Sequence, residues 1–580
     1  MQQTQPTTPI VTLPGNPAEL DEFRGRIRQY LDGSLSADDF KKCRLQLGIY
    51  GIRALRDRQM VRIKVPGGWL NAGQCERVAA LAEAYATGRA HVTTRQDFQL
   101  YEVPLPRVPD LLAELADVGL TTREACGNSV RNITACPFTG LCPDEVFDVA
   151  PYVLAATTYF LRHPDTQELP RKFKMSFSGC RHDRAMAAIH DIGVIAALDQ
   201  GRPGFRLYVG GGLGALPRPA DLLEPWTPLA ELLPTMEAVL AVFNRDGERK
   251  NRQRARMKFL LSSIGIEEFR RRVFARRDEL HARPERFPLL PEPAIPTNGR
   301  GGGRAIRAEG AAGYVRWVKT NAQPQRQPGV AMVTVRLLLG DLSVPQLRGL
   351  ADAARRFSGG RVVTTPWQDV CLPWVREEDL PSLYAVLVPL GLGRADAERI
   401  QDITSCPGAD TCQIGITASR GLATALADTL DAPEYKTDDL QALRIKLSGC
   451  PNSCGQHHIA DIGMFGSSRN VAGRPVPFYQ VLVGGGCGDG EASFGQTVAR
   501  LPARRVPQAV EALLAWYRRE RTDGESFRAC VERAGTAPIE RALAPFAVFE
   551  PNPEDPEAFR DWGHTEDFSL GGMGKGECAG

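Results

Sequence analysis

The chain has 580 residues, 43% of them hydrophobic and 24% charged, and a formal net charge of +3. That length predicts about three to four domains, and the small charge gives no support for a nucleic-acid partner. No apolar run approaches the roughly 18–20 residues that cross a bilayer, and the polar first residues do not form a secretory signal. Fourteen cysteines are too few for a disulfide scaffold, so we expect a cytoplasmic, reduced protein without a membrane partner.

Hydrophobic periodicity predicts the secondary structure in chain order. The first half is expected to alternate between helices and strands, at residues 20–58 (helical), 60–65 (strand), 75–87 (helix), 91–100 (strand) and 108–118 (helix). The same alternation returns later, at residues 334–339 (strand), 344–357 (helix), 361–370 (strand) and 380–390 (helix). This recurrence indicates an internal duplication.

Five short motifs support the duplication, because each recurs in the same order and at nearly the same offset. The pairs are Val92-Thr-Thr94 with Val363-Thr-Thr365, Cys136 and Cys142 with Cys406 and Cys412, Ser178-Gly-Cys180 with Ser448-Gly-Cys450, Asp191-Ile-Gly193 with Asp461-Ile-Gly463, and Gly210-Gly-Gly212 with Gly484-Gly-Gly486. We therefore expect an α+β fold of two homologous halves related by a pseudo-twofold axis.

The second half contains two close pairs of cysteines, in Cys406-Pro-Gly-Ala-Asp-Thr-Cys412 and Cys450-Pro-Asn-Ser-Cys454. Four soft thiolates favour either an iron–sulfur cluster or zinc. Zinc sites usually have about two to four residues between paired cysteines, whereas the first pair here has five. The spacing therefore favours a [4Fe–4S] cluster.

The first half retains only part of this pattern. It keeps Cys136, Cys142 and Cys180, but Arg184 stands at the position of Cys454. Three thiols do not make the usual four-thiolate cluster site. They are either buried remnants of an ancestral site or a second metal site, and only the second half has all four cluster thiols.

With these motifs, the sequence resembles the sulfite and nitrite reductase haemoprotein family over about residues 45–545. The resemblance implies sirohaem beside a [4Fe–4S] cluster that is bound by Cys406, Cys412, Cys450 and Cys454. It also implies that Cys454 bridges the cluster to the haem iron. The implied reaction is a six-electron reduction, of sulfite to sulfide or of nitrite to ammonia.

A small oxyanion on an iron atom needs fixed cations that stabilise it and polarise its oxygens. The resemblance places these catalytic cations in the first half, at Arg95, Arg131, Lys172 and Lys174. Arginine offers forked contacts to oxygen atoms, whereas lysine is a point charge that can also relay protons. The second half would thus bind the cluster, and the first half would bind the anion.

Sirohaem carries many carboxylates and needs cations around it. Residues 249–258 include six cations, a pattern that is ordinarily a solvated helix face, but the resemblance favours a contact with the cofactor. The candidate cofactor-binding residues are Arg62, Arg171, Arg252, Arg254, Arg256, Lys258 and Asn452.

Two further residues match positions that are covalently joined in some family members. These are Tyr50 in Gly48-Ile-Tyr50-Gly51 and Cys126 in Ala125-Cys126-Gly127. The resemblance predicts a crosslink between them, and a buried but unlinked pair is the alternative.

The substrate is predicted from two motifs that point in different directions. Lys172-Phe-Lys174 is typical of sulfite-type members, and a second lysine suits the sulfite dianion better than nitrite. Cys450-Pro-Asn-Ser-Cys454-Gly-Gln is more similar to nitrite-type sequences. We expect sulfite as the substrate, with nitrite as the alternative.

The sequence contains no Gly-x-Gly-x-x-Gly motif that opens a helix after a strand, so we expect electrons from outside. The expected donor is ferredoxin or a separate flavoprotein, and the expected state is a monomer. Two classes outside the family would use the same thiols: an iron–sulfur lyase or radical enzyme without sirohaem, and a structural zinc scaffold.

The expected domains follow from the repeat. They are a helical extension (1–58), two ferredoxin-like half-domains (59–125 and 311–395), two sirohaem-binding domains (126–288 and 396–545), a linker (289–310) and a C-terminal arm or lid (546–580).

Overall fold

The structure is a computed structural model and describes residues 9–282, 286–295, 306–471, 473–549, 556–574 and 576–577. Part of the expected linker, residues 296–305, lies outside the described residues. No helix in the described ranges is long and apolar enough to cross a membrane.

The described residues form helices and strands in mixed order. The helices are α1 (Pro17–Leu31), α2 (Ala37–Gln46), α3 (Ala72–Tyr85), α4 (Val108–Ala116), α5 (Ala150–Phe160), α6 (Leu232–Asp246), α7 (Met257–Ile264), α8 (Ile266–Leu280), α9 (Ala312–Asn321), α10 (Val344–Phe357), α11 (Leu380–Leu387), α12 (Ser419–Leu430), α13 (Val506–Glu520), α14 (Phe527–Ala534) and α15 (Ala537–Ala547). The strands are β1 (Ile49–Ile52), β2 (Leu55–Ile63), β3 (Trp69–Asn71), β4 (Arg89–Val92), β5 (Phe98–Pro104), β6 (Val130–Ala135), β7 (Phe173–Ser178), β8 (Ile192–Asp199), β9 (Arg202–Val209), β10 (Asp221–Pro228), β11 (Ala322–Pro324), β12 (Val330–Val335), β13 (Asp341–Ser343), β14 (Arg361–Thr364), β15 (Val370–Arg376), β16 (Thr404–Ser405), β17 (Ile445–Ser448), β18 (Ile462–Val471), β19 (Arg474–Val483), β20 (Gly486–Gly488), β21 (Glu491–Ser493) and β22 (Gln496–Pro502).

Two antiparallel five-stranded sheets form the ferredoxin-like half-domains. Their strand orders are β1-β2-β5-β4-β13 and β11-β12-β15-β14-β3. The main helix of each, α3 or α10, begins with a capping box in which the side chains of Asn71 and Gln74, or of Ser343 and Gln346, bond each other's backbone N–H groups. The two half-domains share one continuous hydrophobic core, so they pack as a single unit.

Each half lends a strand to a sheet of the other half. Strand β13 pairs with β4, with Leu342 opposite Ala90, and strand β3 pairs with β14, with Leu70 opposite Val362. The side chain of Asp341 also bonds His91 Nδ1 at 2.9 Å across the first of these contacts. Both sheets are therefore complete only when the two halves are together.

The two cofactor-binding domains share a second topology. Their strand orders are β10-β9-β8-β7-β6 and β16-β17-β18-β19-β22, and in each the three strands that come first along the chain are parallel. The cysteine loops begin directly after the carboxyl ends of these strands: Cys136 follows β6 and Cys406 follows β16. The cysteine loops of the two domains therefore lie at matching positions, each at the carboxyl end of the corresponding strand.

The predicted helical extension is wrong for residues 49–58. These residues form β1 and the beginning of β2, which pair antiparallel at the edge of the first sheet. Ile49, Tyr50 and Ile52 of β1 are buried. Apolar burial against the sheet thus prevails over the weak helical periodicity of this segment.

The predicted strands at 91–100 and 361–370 are each interrupted by a tight turn. Gln96 and Gln368 have φ of +61° and +74°, in the left-handed region, which departs from the extended backbone of a regular strand. In these turns the hydroxyls of Thr93 and Thr365 each accept the backbone N–H four residues later, from Asp97 at 3.1 Å and Asp369 at 2.9 Å. Local side-chain bonds of this kind compete with the sheet ladder and end the strand.

Candidate active site

A cavity where the two cofactor-binding domains meet the first ferredoxin-like half-domain is lined by residues of both halves. The second half contributes four thiols to its wall, from Cys406, Cys412, Cys450 and Cys454. The first half contributes four of the predicted cations, Arg95, Arg131, Lys172 and Lys174. The structure therefore brings together all eight residues that the sequence proposed for cluster and anion binding.

The thiol wall is built from the loops that follow β16 and β17. Cys406 Sγ accepts a hydrogen bond from the N–H of Gly449 at 3.1 Å. The backbones of these loops approach closely, since a Cβ at Gly449 would lie 2.6 Å from the Cα of Gly408. Hydrogen bonds to sulfur tune thiolate ligands of iron–sulfur clusters, so this donor set fits a [4Fe–4S] cluster.

The corresponding place in the first half is filled by side chains. Phe138 and Glu145, which are both buried, stand where the second half has Gly408 and Gly415. The Glu145 carboxylate accepts a backbone N–H of its own loop at 2.8 Å, and burial raises its pKa well above the ordinary value. These bulky side chains favour the interpretation that the thiols here are remnants.

Arg184 completes the difference between the halves. It stands at the position of Cys454, and its guanidinium lies 4.7 Å from the centre of the Phe138 ring. Its Nη1 also donates to Glu398 of the second half at 3.0 Å. The residue that replaces the fourth thiol is thus an ion-pair partner between the halves.

Arg95 and Arg131 are held by backbone carbonyls. Arg131, on β6, donates from Nη2 to Gly127 O at 2.8 Å and from Nη1 to Ala125 O at 3.1 Å. Arg95, in the turn after β4, donates from Nη2 to Asn132 O, and burial lowers its pKa to about 10. Both guanidinium groups are fixed before any ligand arrives, as electrostatic preorganisation requires.

Lys172 directly precedes β7, and Lys174 is the second residue of that strand. Both lysines line the cavity. The backbone N–H of Lys174 donates to Asp191 Oδ2 at 2.9 Å, which fixes the strand at this point. Burial lowers the pKa of Lys174 well below its ordinary value, and the nearby charges of Arg256 and Arg95 lower it further.

Of the seven candidate cofactor-binding residues, Arg62, Arg256 and Asn452 line the cavity. Arg256 is 4% exposed and donates from Nη2 to both oxygens of Asp191, at 3.0 and 2.9 Å. The other four candidates are not among the lining residues: Arg171 is buried, Lys258 donates to Leu213 O at 2.8 Å, and Arg252 and Arg254 are exposed.

The charge of the lining suits a polyanionic ligand. Six cations line the cavity, from Arg62, Arg95, Arg131, Lys172, Lys174 and Arg256, against the carboxyl groups of Asp97 and Glu577. Burial raises the pKa of Asp97 to about 6, so this carboxyl stays mainly ionised at neutral pH and loses its charge as the pH falls through about 6. Such a surplus of cations fits a macrocycle with many carboxylates, such as sirohaem.

The C-terminal segment contacts the outside of the cluster loop. Asp561 accepts the N–H of Ala418 at 2.7 Å, and the N–H of Gly574 donates to Gln413 O at 2.9 Å. The described residues 561–574 therefore run along the loop that connects Cys406 to α12, and we call these residues, together with 576–577, the strap.

The strap ends in a buried ion pair beside the cavity. Both oxygens of Glu577 bond the Arg44 guanidinium, one of them to Nη1 at 2.9 Å, and Glu577 also accepts the N–H of Gly51 at 3.0 Å. The Glu577 side chain is 7% exposed. Glu577 could not be predicted from the sequence, because a lone glutamate in a glycine-rich tail belongs to no recognisable pattern.

Tyr50 and Cys126 belong to one small buried hydrophobic cluster. The Tyr50 hydroxyl accepts a hydrogen bond from Arg131 Nη1 at 3.3 Å, so the tyrosine reaches the cation cluster. The covalent link between Tyr50 and Cys126 stays a prediction.

Two family descriptions match the chain, and each matches it twice. "Nitrite and sulphite reductase 4Fe-4S domain" matches residues 126–280 and 396–545. "Nitrite/Sulfite reductase ferredoxin-like half domain" matches residues 53–118 and 323–390. The double match confirms the predicted α+β fold of two homologous halves.

Individual relatives resemble the chain over most of their length. The ferredoxin–nitrite reductase of Synechococcus elongatus is 30% identical and covers 81% of this chain and 88% of its own. A ferredoxin sulfite reductase of Mycolicibacterium paratuberculosis is 29% identical and covers 82% of each chain. The solved structure of the NirA protein of Mycobacterium tuberculosis is 27% identical, covers 91% of this chain and 96% of its own, and has a TM-score of 0.76.

Proposed function

Because this chain belongs to the nitrite and sulfite reductase family, whose cofactors are sirohaem and a [4Fe–4S] cluster, we propose that it reduces sulfite to sulfide with six electrons. The reaction consumes seven protons and gives hydrosulfide and three waters. Because this family consists of oxidoreductases, membership of it argues against the two alternatives from other classes, an iron–sulfur lyase and a structural zinc scaffold. The observation that carries the proposal is the shared cavity, where four thiols of one half face four cations of the other.

Cys406, Cys412, Cys450 and Cys454 are the proposed cluster ligands. When bound, the cluster and sirohaem supply the electron relay and the iron on which the anion is reduced. Cys454 is exposed towards the cavity, whereas Cys406 and Cys450 are buried. Because of this exposure, Cys454 is the cluster ligand that would also face the sirohaem.

Arg95, Arg131, Lys172 and Lys174 are the proposed anion-binding residues. Their N–H groups would donate to the oxygens of the substrate and keep its charge stabilised as water is formed. Lys174 has a lowered pKa and therefore releases a proton more readily than an ordinary lysine. Arg62, Arg256 and Asn452 are the proposed contacts for the carboxylates of the macrocycle.

Sulfite is preferred because of the charge around Lys172 and Lys174. Each added cation in a buried cavity favours an anion of charge −2 over one of charge −1. Nitrite remains the second candidate, because the relative from Synechococcus elongatus is named a nitrite reductase. That reaction also takes six electrons and gives ammonium and two waters.

The electron donor is proposed to be ferredoxin. Relatives that act on either anion carry ferredoxin in their names. A small acidic donor would associate with a basic surface by electrostatic steering, so turnover should slow as salt increases.

The purified holoenzyme decides between the two substrates. Its absorption spectrum should combine a Soret band and a red-region band with the broad absorption of a cluster. Steady-state kinetics with reduced ferredoxin should then give a larger kcat/KM for sulfite than for nitrite. A nitrite kcat/KM tens of times larger would assign nitrite as the substrate, and a spectrum without a Soret band would refute both.

The substitution Cys454→Ser tests the cluster assignment. We expect activity to fall at least about 100-fold, since changes to partners that only support metal ligands already cost about 10–100-fold. Cys142→Ser, in the counterpart of the Cys406–Cys412 loop, is the matched control and should retain activity. Normal activity in Cys454→Ser would refute its role.

A further inference from the structure

His190 lies in the wall of the cavity and has no role in the function described so far. It directly precedes Asp191-Ile-Gly193, one of the repeated motifs, and the equivalent residue of the second half is Ala460. Its side chain is buried, with 4% exposure. The first half, which supplies the cations, therefore has a histidine where the second half has an alanine.

The hydrogen bonds of His190 define its state. Nδ1 lies 2.7 Å from Met186 O, a carbonyl that can only accept, so Nδ1 carries the proton. Nε2 lies 2.5 Å from Arg95 Nη1, a group that can only donate, so Nε2 is the acceptor. The ring is thus a neutral imidazole that bridges the chain to the Arg95 guanidinium.

The surroundings of the ring keep it neutral. The charged groups that influence it are the cations of Arg95, Lys174 and Arg256. Burial lowers the pKa of His190 well below its ordinary value, and the charge of Arg95 lowers it further. The ring therefore remains an acceptor at neutral pH.

The remaining contacts show what this acceptor does for Arg95. Nη2 of Arg95 donates to Asn132 O and, at 3.4 Å, to Met175 O. Because Nη1 is bonded to His190, both terminal nitrogens of the Arg95 guanidinium have hydrogen-bond partners. The Nε–H is buried and has no acceptor within the described part of the chain. An arginine without these restraints would populate several rotamers, and ordering it on ligand binding costs free energy.

We propose that His190 is a positioning residue that holds the Arg95 guanidinium in one orientation, so that its unpaired N–H is ready for an oxygen of the substrate anion. This inference rests on the proposed role of Arg95 in anion binding. It assigns a specific task to one residue of the first half, and it predicts that an acceptor at this position matters more than a basic group.

The test compares His190→Ala with His190→Gln in the holoenzyme. Alanine removes the acceptor, whereas glutamine replaces it with an amide oxygen. In the alanine variant we expect the KM for sulfite to rise about tenfold, which corresponds to the loss of one charge-assisted hydrogen bond. The Kd for sulfite, measured from the shift of the Soret band on binding, should rise by the same factor. The glutamine variant should stay within about threefold of the wild type, with kcat changing less than KM. His281→Ala, an exposed histidine away from the cavity, is the control.

A second readout does not depend on turnover. Phenylglyoxal modifies arginine side chains that leave their hydrogen-bonding partners, and peptide mass spectrometry measures the rate at Arg95. We expect faster modification in His190→Ala than in the wild type and in His190→Gln. Equal rates and equal anion affinity in the three proteins would overturn the inference. A loss of cofactor in both variants would also overturn it, because it would show a purely structural role. A wild type that binds neither anion would refute the proposed function, while the modification rates would still decide the role of His190.

Discussion

Cys142, which occupies the loop position equivalent to Cys412, has a thiol with a lowered pKa. Its thiol is half-buried and accepts a hydrogen bond from the thiol of Cys180, which lowers the pKa of Cys142 to about 6. The same bond, together with burial, raises the pKa of Cys180. The two neighbouring thiols therefore have pKa values shifted in opposite directions.

We expect Cys142 to react with iodoacetamide at neutral pH. The thiolate is the reactive form, so the rate should be high above pH 6 and fall as the pH drops through about 6. Peptide mass spectrometry over a pH series measures the midpoint. Cys180→Ala is the comparison: it removes the donor and should move the midpoint towards the ordinary value of about 8.5. A wild-type midpoint already at the ordinary value would contradict the prediction.

The crosslink between Tyr50 and Cys126 is a second prediction at this scale. Both residues are in one buried cluster, where a link would hold the Tyr50 hydroxyl beside Arg131. Tryptic digestion and mass spectrometry should find a joined peptide that has lost two hydrogen atoms. Separate peptides of unmodified mass would instead support the buried, unlinked pair. Met60→Leu, a change within the same cluster that keeps both reactive groups, should leave the link intact.

Cysteine spacing predicted the four thiols, and the family resemblance predicted the four cations, and the structure brings all eight of these proposed residues to one cavity. Neither of them predicted His190 or Glu577. The contact of His190 with Arg95 depends on how two loops meet, although the mismatch with Ala460 in the repeat was a usable signal. The run at 249–258 was partly misleading, since only Arg256 of its four candidates lines the cavity.

At the scale of elements, the turn after β4 determines where Arg95 lies. A continuous strand through 91–100 would have placed its side chain on a sheet face, whereas the left-handed Gln96 ends the strand and exposes Arg95 to the cavity. Gln96 also accepts the N–H of Ala135 at 2.9 Å, so the turn is tied to β6. Sequence periodicity predicted the strands but not this interruption, because it depends on contacts between distant segments.

The strap is the second element with a functional consequence. Glu577→Gln leaves Arg44 without its anion, and losing one partner of a buried ion pair costs about 3–5 kcal/mol. We expect the end of the strap to detach rather than the whole domain to unfold, because residues 569–574 beside Glu577 are exposed. The cluster absorbance should then bleach several-fold faster in air. Glu566→Gln, an exposed change on the same segment, should bleach like the wild type. Equal rates in all three proteins would show that the strap does not protect the cluster.

At the scale of the whole molecule, the exchange of β3 and β13 makes the halves interdependent. Each half alone would leave one sheet without its edge strand and part of the shared core exposed. Residues 1–295 and 306–580 produced separately should therefore not show a cooperative thermal transition by circular dichroism. Produced together, they should form a one-to-one complex that melts cooperatively. A folded, monomeric fragment on its own would contradict this expectation.

The strand exchange also has an evolutionary consequence. A single ancestral half could have completed its sheets only by giving a strand to a second copy of itself, and the simplest such assembly is a symmetric dimer. Such a dimer would have held two identical copies of each cysteine loop. Once both copies were fused in one gene, one loop could lose its fourth thiol to Arg184 while the other kept the cluster. The first half was then free to specialise in the handling of the anion.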